Sequence, residues 1–307
     1  MTNSPQGLLN PFSHVMGAVL LSLFSFVFAP FLFLPLYASL IDSSLAEIMH
    51  QVMNNEPTIE IQLVLVAGQF SVAFCSFILI PAWYIKQYGA DKLTDYFNPS
   101  TFKSNAALLT FGLTFMLMVV NSLLIEWNMN FQFPDAVAAT FDQMEEQGRL
   151  MTEYLTNFKS PAYFICVLLV VAVVPAIGEE LLFRGLIQKY LEGKWRNPHM
   201  AIWVTAVFFS AFHLQFYGFV PRLALGAFFG YLFYFSRNLW YASLAHFINN
   251  GFTLLMIYLF QLEVIKYDIE TTESISHWTA LAFAIIGAIL FVLFRKQFHI
   301  TDNLENE

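Results

Sequence analysis

Six side chains in three apolar segments could do chemistry together. Glu179, Glu180 and Arg184 lie in Gly178-Glu179-Glu180-Leu181-Leu182-Phe183-Arg184-Gly185, His213 follows Phe209 by four residues, and His246 precedes Asn250 by four. Ionisable groups inside a bilayer are expensive and mark functional sites by default. Carboxylates and imidazoles gathered there can activate water for hydrolysis. Two histidines and a glutamate can also form a three-ligand zinc set with an open fourth position. Buried Glu/His chains relay protons in transporters as well.

The spacing divides the labour. Successive helical residues point about 100° apart, so Glu179 and Glu180 face different ways. Glu180 and Arg184 are neighbours on one helix face and read as a structural ion pair. Glu179 has no such partner in the sequence and is the candidate general base towards water. Pro175 and Gly178 come just before the pair. Proline frees a backbone carbonyl and glycine permits close approach, so this stretch either opens room for water and an extended peptide or is a plain packing kink. His246 and Asn250 share a face, which suits hydrogen bonds to an oxyanion or metal ligation. Asn249 is off that face and reads as packing. His14, His50, His199, His277 and His299 fall at or beyond the ends of apolar runs and are assigned no chemistry. The sequence contains no His-Glu-x-x-His, no serine in a Gly-x-Ser-x-Gly context, no catalytic aspartate pair in an apolar span, and no P-loop or dinucleotide fingerprint.

The elements that must position these groups are membrane helices. The chain has 307 residues, 58% of them hydrophobic and only 12% charged, against about 25% charged in soluble domains. Its net charge of −8 argues against a nucleic-acid partner, which calls for a basic face. Segments near the ~20 residues needed to span fall at about 15–40, 61–85, 105–126, 162–188, 200–217, 221–236, 239–260 and 277–294. With the N-terminus inside, nine Lys/Arg fall on the cytoplasmic side and four outside, as basic residues prefer. The expectation is therefore an all-α polytopic membrane protein of about eight helices with both termini cytoplasmic. The first apolar run exceeds a signal h-region of about 7–15 residues and reads as the first span. Residues 127–161 hold Asp135 to Asp142 and read as an external amphipathic helix, lying at the surface or simply solvated. Cys75 and Cys166 read as small buried hydrophobes without a disulfide. On these boundaries Glu179 and His246 lie about 10–15 Å from the cytoplasmic edge, whereas His213 lies about 20 Å deep.

These residues resemble the CPBP family of CAAX prenyl endopeptidases and bacteriocin-processing or self-immunity proteins. Glu-Glu-x-x-x-Arg matches Glu179, Glu180 and Arg184; Phe-x-x-x-His matches Phe209 and His213; His-x-x-x-Asn matches His246 and Asn250. The stretch from Leu225 through Gly226 and Gly230 to Tyr231, with Asn238 and Trp240 beyond it, resembles the segment joining the last two motifs. The likeness spans about 160–255 and divides the chain into N-terminal helices (1–160), a protease-like core (161–260), and a last helix with a cytoplasmic tail (261–307). It implies an intramembrane endopeptidase working near the cytoplasmic face. In it Glu179 and His213 would activate water, His246 and Asn250 would stabilise the oxyanion, and Glu180 and Arg184 would support the site. Two forms stay open: Zn²⁺ on Glu179, His213 and His246, or a metal-free glutamate mechanism. The implied partners are membrane lipids and a peptide or protein substrate, either prenylated or merely membrane-associated. The implied location is a multi-pass protein of the plasma (inner) membrane, if the source is prokaryotic. The competing readings are a non-catalytic scaffold or immunity protein and, third, a proton or ion transporter.

Overall fold

The computed structural model describes residues 11–54, 56–88, 92–266 and 275–298. Within them the secondary structure is helical, in the order α1 (Pro11–Ser39), α2 (Leu45–Met53), α3 (Ile59–Tyr88), α4 (Ser104–Met129), α5 (Asp135–Leu155), α6 (Pro161–Trp195), α7 (Pro198–Phe212), α8 (Phe219–Ser236), α9 (Leu239–Gln261) and α10 (His277–Gln297). Single helical turns occur at Leu93–Tyr96, Pro99–Thr101 and Phe216–Gly218.

Local chemistry explains where the helices start and stop. Ser160, Asn197, Asn238 and Ser276 cap α6, α7, α9 and α10, each side chain accepting a first-turn N–H, which satisfies donors the helix cannot. Pro161 and Pro198 follow two of these caps at a first-turn position where a missing N–H is harmless. Arg196 and Arg237 close α6 and α8 in the left-handed region, each with φ 53°.

Among the described residues seven helices are long and apolar enough to cross a membrane. The fifth expected segment, 200–217, departs from expectation. Its helix does not reach residue 217 but ends at Phe212, after 15 residues, about 22 Å at 1.5 Å per residue. His213 terminates it, and Leu214 turns the chain with φ 56°. The segment expected at 162–188 runs instead from Pro161 to Trp195. The C-terminal tail and His299 lie outside the described residues.

Helix α6 is the central element. It packs against α9, and it also contacts α3, α7 and α8. Gly178 permits the α3 contact, since a Cβ there would sit 2.8 Å from the Phe77 Cβ. Gly226 and Gly230 let α8 close on α7, where added Cβ atoms would meet Ala206 at 3.2 Å and Ile202 at 2.9 Å. Helices α1 and α10 are peripheral and present residues such as Phe31, Leu32, Ile285 and Ile289 outward, as lipid-facing helices do.

The acidic stretch is helix α5, and it docks rather than floats. Tyr154 is fully buried and its hydroxyl accepts from Thr58 N at 3.4 Å. Phe141 stacks on Phe216 at 4.0 Å, and the Tyr217 hydroxyl donates to Asp142 at 2.5 Å. The outer face is polar, with Arg149 bridging Glu146 and Glu153. The two cysteines are free but not buried as expected: Cys75 is half-buried and Cys166 is exposed on α6.

Candidate active site

The two glutamates end a seven-residue α-helical stretch of α6, Val174–Glu180, between π-helical stretches at Leu169–Val173 and Leu181–Gln188. Each π turn uses i→i+5 bonds, seen as Val174 N to Leu169 O and Lys189 N to Arg184 O. Such bulges re-aim side chains and occur often at functional sites.

Glu180 and Arg184 form the expected pair: Arg184 donates to Glu180 Oε1 at 2.8 Å, and both side chains are 0% exposed. The structure adds a third member. His246 of α9 meets the same Glu180 oxygen through Nδ1 at 2.9 Å. Arg184 uses its other terminal nitrogen on the Gly226 carbonyl of α8, at 2.7 Å. Its guanidinium also lies over the rings of Phe209 (4.7 Å) and Phe229 (5.4 Å), a cation–π contact that strengthens when desolvated. The charge is thus paired, hydrogen-bonded and enclosed, as a buried ion requires.

Glu179 behaves differently. It is 9% exposed, and its Oε2 is buried with no hydrogen-bond partner. Two carboxylates adjacent in sequence are therefore unlike: Glu180 gives Oε1 to both Arg184 and His246 and is 0% exposed, its Oε2 buried and bare, whereas Glu179 is 9% exposed and lies outside that pair.

The histidine partners decide which ring nitrogen is available. His213 Nδ1 lies 2.9 Å from the Phe209 carbonyl. A carbonyl can only accept, so Nδ1 carries the proton and the neutral ring keeps its lone pair on Nε2. The same logic gives His246 an Nδ1–H directed at Glu180 and leaves Nε2 for another partner. His246 stacks on Phe229, with ring centroids 5.1 Å apart.

His213 is not hydrogen-bonded to the glutamates. It joins the cluster through Phe209, whose ring lies 5.1 Å from His213 and 5.9 Å from His246. Phe209 thus earns its place in Phe-x-x-x-His as a spacer touching both histidines and Arg184.

Asn250 donates to the Val171 carbonyl at 3.3 Å, and its Oδ1 accepts from Asn249 at 3.1 Å. Pro175 explains the first contact. In an α-helix the Val171 carbonyl would accept from residue 175, but proline has no N–H. The freed carbonyl takes Asn250 and ties α6 to α9. Replacing Asn250 by leucine should therefore destabilise the protein by about 1–3 kcal/mol, because a buried carbonyl is left bare. The loss should shrink in a Pro175→Ala background, which restores an N–H. A double-mutant cycle by thermal unfolding in detergent checks this, and additive effects would refute the tie.

Zinc fits poorly. Among the described residues no group of three or more His, Cys, Asp or Glu side chains is placed to hold a metal ion. In this arrangement the Phe209 ring touches both imidazoles, and His246 turns Nδ1 to Glu180.

Sequence reasoning missed several contributors. Phe229 and the Gly226 carbonyl hold His246 and Arg184. Gln188, four residues after Arg184, donates to the Gly230 carbonyl at 3.0 Å, so two side chains one turn apart grip two carbonyls one turn apart. The Arg184/Gln188 and Gly226/Gly230 spacings carry this signal. Asn249, read as packing, holds Asn250.

The fold and cluster define a class: a polytopic helical membrane protein with a carboxylate–arginine–histidine centre enclosed between its helices. Residues 161–252, the stretch that holds Glu179, Glu180, Arg184, His213, His246 and Asn250, match the family model for Rce1-like, type II CAAX prenyl endopeptidase Rce1-like proteins, consistent with the CPBP resemblance. The match covers a little under a third of the chain and implies CAAX protease-type intramembrane endopeptidase activity. No curated protein and no solved structure matches the chain.

Proposed function

We propose that this protein is an intramembrane endopeptidase that hydrolyses a peptide bond with water activated by Glu179 and His213. The observation that carries this reading is the contrast between the two glutamates. Glu180 gives Oε1 to Arg184 and His246 and is 0% exposed, whereas Glu179 is 9% exposed and stands outside that ion pair. Glu179 takes a proton from water, with His213 Nε2 as the second acceptor that orients it. The hydroxide adds to the scissile carbonyl carbon. The oxyanion is met on the side of His246, whose Nδ1 is held by Glu180, by the second amide proton of Asn250. The proton on Glu179 passes to the leaving amine as the C–N bond breaks. Every proton is supplied by the chain's own residues or the attacking water.

The domain division at 160 and 260, and a topology with both termini in the cytoplasm, complete the proposal. The Lys/Arg asymmetry of the loops supports that orientation. It puts the centre nearer the cytoplasmic edge, His246 being seven residues into α9, about 10 Å. The substrate is a membrane-associated peptide or protein, prenylated or not.

The test compares membrane-protein N-termini in host cells expressing wild type or Glu179→Gln at equal level. Termini present only with wild type are expected. Identical termini from two folded, equally abundant proteins would remove the protease reading and favour the scaffold or immunity role.

A further inference from the structure

Helix α6 carries Glu180, Arg184, Gln188 and Glu192 at four-residue intervals, a polar row between the active site and the helix end at Trp195. The first two belong to the centre already described. The other two hold the same neighbouring helix one turn further on. Gln188 is 0% exposed, and its Nε2 donates to the Gly230 carbonyl of α8 at 3.0 Å and to Glu192 Oε1 at 2.9 Å. The second carboxylate oxygen of Glu192 takes Arg237, the residue that closes α8, at 2.6 Å. Both acceptors fall to the amide nitrogen, so the carboxamide has one orientation. Turned over, its oxygen would face a carbonyl and a carboxylate, neither of which can donate. Gly230 is matched to this contact, since a Cβ there would stand 2.8 Å from Gln188 Oε1.

Stability alone does not account for Gln188. Its Oε1 is buried without a partner, and a carboxamide in that state is no more favourable than an apolar side chain of the same shape. What it supplies is register. Arg184 on Gly226 and Gln188 on Gly230 hold α8 at two carbonyls one turn apart, so α8 can neither slide along α6 nor swing about a single contact. Phe229 lies between those glycines in sequence. Its ring stacks on His246 with centroids 5.1 Å apart and planes 15° apart, and it lies 5.4 Å from the Arg184 guanidinium. The register of α8 therefore sets the plane of the imidazole on whose side the oxyanion forms. We propose that Gln188 is a positioning residue of the active site. Anchored by Glu192 and Arg237, it fixes α8 so that Phe229 holds His246 and Arg184 in their working geometry. The proposal rests on the endopeptidase reading and adds to it a residue that touches neither the substrate nor the reacting atoms.

The experiment uses the full chain in lipid nanodiscs. Turnover is measured on a substrate found in the terminus comparison, and the imidazole nitrogens of isotope-labelled histidines are read by NMR, the His246 signal being assigned by its loss in His246→Gln. Gln188→Met keeps the length and packing of the side chain and removes the donor. Its kcat should fall about tenfold with KM unchanged, since a misplacement of about 1 Å set up far from the chemistry costs up to about 10²-fold. Its unfolding midpoint should stay within about 3 °C of wild type, and its His246 Nδ1 signal should move. Glu192→Met, at a half-buried position near the helix end, removes the anchor instead and carries the test should Gln188→Met not fold; a smaller fall in kcat with the same signal shift is expected. Leu281→Met on the outward face of α10 is the control and should change neither readout. A kcat within about twofold of wild type, or an unmoved His246 signal in a folded variant, would overturn the positioning role even with wild type fully active. A loss that appears only as raised KM would overturn it too. A shifted His246 signal in a protein whose wild type cleaves nothing would keep the link from Gln188 to His246 and remove the protease reading.

Discussion

Replacing Glu179 by glutamine should lower the turnover of purified protein by about 10²–10⁴, the usual contribution of a positioned general base, while leaving its unfolding midpoint nearly unchanged. The argument is geometric. The carboxamide matches the carboxylate in shape but cannot accept and return a proton. Glu179 Oε2 has no hydrogen-bond partner, so the substitution breaks no bond there. Glu180→Gln should behave differently, because Glu180 Oε1 serves both Arg184 and His246, and that variant should lose stability along with activity. The check is single-turnover cleavage of a substrate found in the terminus comparison, with thermal unfolding of each variant. A Glu179→Gln rate within threefold of wild type would remove Glu179 as the base.

Replacing Arg184 by methionine should destabilise the protein by about 3–5 kcal/mol, the range for breaking a buried ion pair from one side. The loss has named components. Glu180, at 0% exposure, would keep only His246 as a partner, the Gly226 carbonyl would lose its donor, and the Phe209 and Phe229 faces would lose their cation. Adding Glu180→Gln should recover part of the loss, because the double variant buries no uncompensated carboxylate. Unfolding in a denaturing detergent titration measures both. A single variant as stable as wild type would show that the pair is not structural. Full additivity with Glu180→Gln would show that the two side chains are not coupled.

Legibility followed sequence distance. The Glu180–Arg184 pair was readable because an i,i+4 spacing makes neighbours on any helix. The eight apolar runs were readable because span length follows from bilayer thickness. The end of α7 was not: its apolar run continues past residue 213, and what stops the helix is the turn at His213 and Leu214, close to the Ser210 hydroxyl that donates to the Phe219 carbonyl at 2.6 Å. The docking of α5 was half readable. Its polarity marked a helix outside the spans, but the burial of Tyr154 depends on α3 and the start of α6.

The sequence by itself determined that this is a helical membrane protein, that six polar residues are retained where the bilayer penalises them, and that two of those residues form a pair. Only the tertiary structure decided which polar groups remain unused. His246 reaches Glu180 across 66 residues, Arg184 reaches Gly226 across 42, and Asn250 reaches the Val171 carbonyl across 79. No periodicity encodes such contacts. They depend on how closely α6, α8 and α9 approach, which is set by glycine positions, a proline-freed carbonyl and π turns acting together. Those contacts commit Glu180 Oε1 to Arg184 and His246 and leave Glu179 outside the pair, a distinction that two adjacent glutamates cannot show in one dimension.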